Sequence, residues 1–60
     1  MTKHQKEAMK INLVAVQTQI ACALMSLEYS DTEGLANVLE YASQRISNVK
    51  TTAMQIENEA

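Results

Sequence analysis

The side chains able to do chemistry are few and far apart. His4 is the only histidine and Cys22 the only cysteine, so one chain supplies neither a Cys/His zinc set nor an internal disulfide. His4 stands among Lys, Gln and Glu with no nucleophile beside it, and reads as an ordinary solvent-facing side chain. Cys22 lies in an apolar stretch without a neighbouring cation to favour a thiolate and reads as a small buried hydrophobe. No glycine-rich phosphate loop, metal-ligand spacing or apolar pocket with paired carboxylates is visible. These residues point away from catalysis and call for no cofactor. What remains is a basic end, Lys3, Lys6 and Lys10 opposed only by Glu7, whose lysines are the candidates for contact with nucleic-acid phosphates. The net charge of -2 gives no broad electrostatic case for such a partner, because domains that live on phosphate contacts carry a basic surplus. Tyr29 and Tyr41, the only aromatics, suit the rim of a bundle end or an interface anchor.

These side chains must be held by helices. The chain of 60 residues contains no proline and a single glycine, Gly34, and is rich in Ala, Leu, Met, Gln, Glu and Lys, all good helix formers. Residues 28 to 34, "EYSDTEG", form the one break. Ser30 with Glu33 fits a capping box, with Asp31 or Thr32 as alternative caps, and Thr2 with Gln5 repeats the signal at the start. The expected organisation is a helix over about 3–29, a turn at about 30–31, a helix over about 32–56 and a polar tail at 57–60. Two helices joined so tightly run antiparallel. The fold class is therefore all-α, an antiparallel two-helix hairpin.

Each helix carries an apolar stripe. On the second, Leu35, Leu39, Ala42, Ile46, Val49, Ala53 and Ile56 step alternately by four and three, the pattern of a left-handed helix seam. Asn37, Glu40, Gln44, Asn48, Thr51 and Gln55 lie on the other side. On the first, Met9, Leu13, Val16, Ile20, Ala23 and Leu27 make the matching stripe, flanked by Leu24. The first helix differs in its back. Residues 11 to 27 hold no charge at all, and at about 100° per residue Ile11, Val14, Ala21, Cys22 and Met25 fall opposite the stripe, with Thr18 among them. A helix that is apolar nearly all round is a buried helix. One hairpin covers only one of these faces, so the other must meet another molecule.

A membrane suits the uncharged run poorly. Its seventeen residues span about 25 Å of helix against a hydrocarbon core of roughly 30 Å, with Asn12, Gln17, Thr18, Gln19 and Ser26 inside it. A second copy suits it better. A chain this short buries only about 60% of its unfolded surface, and with disulfide and zinc removed by counting, oligomerisation is the remaining source of stability. Pairing first helices through Ile11, Val14, Thr18, Ala21, Cys22 and Met25 would close a four-helix bundle. The competing use of that face is a different, host protein. The lone cysteine and the polar first ten residues fit a cytoplasmic protein rather than a secreted one.

The opening "MTKHQKEA", with Met1, Thr2, Lys3, Lys6 and Ala8, and the turn "SDTEG" between two long helices resemble Rop, the family of RNA-binding copy-number-control proteins of small plasmids. That resemblance implies a dimer of helical hairpins that holds paired RNA loops on the outward side of the first helix. Lys3 matches that surface and Lys10 keeps its polarity, whereas Val14 takes the place of the family's aromatic, and Thr18 and Met25 stand at the later contacts. In size the chain is also similar to short proteins encoded in the early regions of temperate phages. The expectation is a non-catalytic, homodimeric regulatory or adaptor protein of phage or plasmid origin that binds a partner protein. RNA binding through Lys3, Lys6 and Lys10 is the alternative.

Overall fold

The computed structural model describes residues 1–59. It contains two helices, α1 (Lys3–Glu28) and α2 (Thr32–Glu59), packed antiparallel side by side as an all-α hairpin. The first helix starts as its sequence predicts. The Thr2 hydroxyl accepts a hydrogen bond from the Gln5 backbone N–H at 3.1 Å, and the Gln5 side chain accepts one from the Thr2 N–H at 2.8 Å. This reciprocal box satisfies two of the donors that every helix start leaves free.

The turn is tighter than a capping box at Ser30 would make it. The Ser30 N–H bonds the Leu27 carbonyl at 3.1 Å and the Asp31 N–H bonds the Ser26 carbonyl at 2.8 Å, the paired bonds of a Schellman ending. That geometry needs a left-handed residue, and Ser30 supplies it with φ of 56°. Ser30 therefore ends α1 instead of starting α2. Asp31, one of the two alternatives, is the cap: its carboxylate accepts from the Gly34 N–H at 3.0 Å. Gly34 itself is helical and does not turn the chain. A Cβ there would overlap the Asp31 carboxylate, so the glycine makes room for the cap. At the other end α2 runs to Glu59, so residues 57–59 of the expected polar tail are helical, and Ala60 lies outside the described residues.

The hairpin measures 45 × 17 × 10 Å across its Cα atoms, a slab one helix thick. Its core is correspondingly thin: among the described residues only Val16, Ala23 and Ala42 are buried. Met9 lies half-buried beside them on α1, and Leu35, Val38, Val49 and Ile56 on α2. The other half of the expected stripes is not in the seam. Leu13, Ile20, Leu27, Leu39, Ile46 and Ala53 are exposed, and the row on the opposite flank of the contact is filled by Gln5, Asn12, Gln19, Ser26 and Thr52, all half-buried. Two helices touch along a line, so a seam with two apolar rows is covered only when helices lie on both sides of it. Here one row is covered and the other is left open.

Candidate interaction site

The open row forms a continuous apolar face. Leu13, Ile20, Leu24 and Leu27 recur on one side of α1, and Leu39 and Ile46 recur on the same side of α2. Leu24 is 63% exposed and Ile20 is 48% exposed. Charged side chains rim this face in an ordered way. Glu28, four residues after Leu24, stands at the turn end, while Lys6, Lys10 and Lys50, with Glu57, stand toward the open end. At that open end the surface dips into a shallow groove of about 440 Å³ lined by Lys6, Met9, Lys10, Leu13 and Val14 among others.

The opposite flank is polar. The Arg45 guanidinium donates to the Asn12 Oδ1 at 3.0 Å across the two helices, and the Asn12 amide donates to the Ala8 carbonyl at 3.0 Å. Nearby, the Gln19 Oε1 is buried without a hydrogen-bond partner. The two flanks of the seam thus differ in kind: one is tied by amide and guanidinium groups, the other offers aliphatic side chains to whatever approaches.

A second apolar surface lies on the back of α1. All six residues expected there, Ile11, Val14, Thr18, Ala21, Cys22 and Met25, are exposed, and the Thr18 hydroxyl is turned to the Val14 carbonyl at 3.4 Å. Cys22 is a free, exposed thiol, so the single hairpin does not itself bury it. The reason is geometric: α2 lies on the far side of α1, and a single-layer fold has nothing to place over the back. Tyr29 and Tyr41 are exposed too, off the seam at the turn and along α2.

The six back residues and the three lysines do not form one site. Lys6 and Lys10 sit on the rim of the groove, where Val14 alone of the back residues joins them. Among the described residues, no three His, Cys, Asp or Glu side chains converge where a metal ion would be held. Sequence reasoning assigned Leu13, Ile20, Leu27, Leu39 and Ile46 to the hairpin's own core. The signal for their exposure was the polar row Asn12, Gln19, Arg45 and Thr52, which has seam spacing of its own and competes for the same contact.

The length argument against a membrane also changes. The uncharged run is part of a 26-residue helix, and by length and composition α1 is long and apolar enough to cross a bilayer. The polar groups still weigh against it, because Asn12, Gln17 and Gln19 lie within that helix and α2 packs beside it carrying Glu40, Arg45 and Lys50.

No described protein family, curated protein or solved structure matches the chain.

Proposed function

We propose that this chain is a small non-catalytic regulatory or adaptor protein, plasmid- or phage-encoded and cytoplasmic, that works as a homodimer by binding a partner protein. One observation carries the reading: α1 is exposed and apolar on two sides, through Leu13, Ile20 and Leu24 on one and Ile11, Val14 and Met25 on the other. Soluble monomers rarely show contiguous apolar surface beyond a few hundred Å² unless it meets something. A two-fold contact hides one such surface and leaves the other displayed twice. The scattered His4 and Cys22 supply no catalytic constellation.

The groove flanked by Lys6 and Lys10 keeps RNA as the second reading. The two separate by salt. An RNA complex held by several lysines weakens steeply between 50 and 200 mM salt, whereas an apolar protein contact barely responds.

The experiment is affinity capture with the native chain and with Val14→Lys/Met25→Lys, nuclease-treated and washed at low and high salt, beside light scattering of the free chain. Expected are a dimer in solution and a protein that is retained at high salt by the native chain and lost by the variant. A nuclease-sensitive, salt-labile catch would favour the RNA reading. A monomer that retains nothing would overturn the proposal.

A further inference from the structure

We infer that the open face formed by Leu13, Ile20, Leu24 and Leu27 of α1 with Leu39 and Ile46 of α2 is where a second copy of this chain docks, and that it docks antiparallel, turn end over open end. The inference rests on the proposed self-association and adds to it the surface and the orientation. It differs from a pairing through the back of α1.

Area is the first argument. A compact monomer of 6.7 kDa exposes about 3,900 Å², and this hairpin exposes 4927 Å². The surplus of about 1,000 Å² is more than the roughly 800 Å² that each partner contributes to a standard stable interface. The residues that make a four-helix seam complete are the ones in the open. Met9, Val16 and Ala23 with Leu35, Ala42 and Val49 fill one row between α1 and α2, and Leu13, Ile20 and Leu27 with Leu39 and Ile46 form the other row of the same alternating three-and-four ladder. A second slab laid on that face lets both rows point into one core. The back of α1 has no counterpart on α2, where Asn37, Gln44, Asn48 and Thr51 stand, so a contact there engages only one helix per chain.

Charge decides the orientation. The turn end carries Glu28, Asp31, Glu33 and Glu40 and no cation, whereas the open end carries Lys3, Lys6, Lys10 and Lys50 against Glu7, Glu57 and Glu59. On the docked face, parallel docking sets Glu28 against Glu28 and the Lys6/Lys10 ends against each other, while Glu40 stands on the far side of α2 and the Asp31 carboxylate caps Gly34. Antiparallel docking lays the acidic turn end of each copy over the Lys6/Lys10 groove of the other, which has an apolar floor in Met9 and Leu13. Like charges brought together across an interface select against that arrangement, and opposite ones favour it.

The test has two parts, each with helicity followed by circular dichroism so that unfolding is recognised. Sedimentation equilibrium compares the native chain with Leu24→Lys, on the open face, and Met25→Lys, on the back; both sites are exposed and neither substitution touches the buried residues. A lysine placed in the docked face is expected to weaken dimerisation on the order of 100-fold for Leu24→Lys and to leave Met25→Lys near native. For orientation, Cys22→Ala/Tyr29→Cys carries one spin label per chain at the turn, and pulsed dipolar spectroscopy reads the separation. Antiparallel docking puts the labels roughly 40 Å apart, at opposite ends of the bundle, and parallel docking puts them within about 20 Å.

Dimer loss in Met25→Lys with Leu24→Lys unaffected would overturn the face while keeping self-association. A short label distance would overturn the orientation. A native chain that stays monomeric at all concentrations would remove self-association itself.

Discussion

Among the described residues Ser30 is the one non-glycine with a left-handed backbone, and it holds that conformation without help from its side chain type. Its φ of 56° places it where glycine is usual, and an L residue there costs about 1 kcal/mol or more. Ser30→Gly should therefore raise stability by about 0.5–1 kcal/mol, the left-handed relief exceeding the added flexibility of the unfolded chain; urea unfolding measures it. Asp31 and Gly34 form a coupled pair. Asp31→Ala should cost about 1 kcal/mol by removing the cap. Gly34→Ala alone should be nearly neutral, since about 1 kcal/mol of helix propensity is offset by displacing the Asp31 carboxylate. In the Asp31→Ala background the same change should be stabilising, because there is no carboxylate left to displace. A double-mutant cycle that comes out additive would contradict the geometry. The sequence made the turn visible as a cluster of Ser, Asp, Thr and Gly, but not the division of labour within it. One glycine and one serine four residues apart suggest the glycine for the left-handed position, and only the backbone reveals that the serine has it.

At the scale of the helices, the fold class and both spans were legible because no proline interrupts them and the apolar spacing is regular over many turns. The choice of seam was not. Each helix offers a central row, Val16 and Ala23 on α1 and Ala42 on α2, with an aliphatic row on one side and an amide-rich row on the other. Hydrophobic reasoning assigned the aliphatic row to the partner helix. In the hairpin, small Ala23 and Ala42 lie at the centre, and Asn12 reaches Arg45 across the polar flank. Gln19 is the weak point of that flank, since its buried Oε1 has no partner. A buried acceptor without a bond costs about 1–3 kcal/mol, so Gln19→Leu should stabilise the hairpin by about 1–2 kcal/mol in thermal or urea unfolding. No change or a loss would mean that water already satisfies the amide. Arg45→Ala should matter far less, under about 1 kcal/mol, because the bond it removes is exposed.

For the molecule as a whole, the candidate site was half legible. That one hairpin leaves the back of α1 uncovered was readable, because Ile11, Val14, Ala21, Cys22 and Met25, with Thr18 among them, fall opposite the stripe that meets α2. The broader face was not readable, because a row of leucines at seam spacing reads the same whether a hairpin or a pair of hairpins encloses it. Under the proposed self-association, the midpoint of thermal unfolding should rise with chain concentration, and a midpoint constant over a hundredfold range would argue against it. Screening should weaken the proposed antiparallel dimer slightly as salt rises, while a parallel one would tighten as its carboxylates are screened. A slab only 10 Å thick at its Cα atoms has a further consequence. Its cover has to be supplied from outside, so persistence becomes a matter of supply. If the cover is another copy, the paired amount at low abundance follows the square of the chain made, and halving synthesis leaves about a quarter of it. Such a protein would register its own dosage: scarce chains stand uncovered and open to proteases, abundant ones shelter each other.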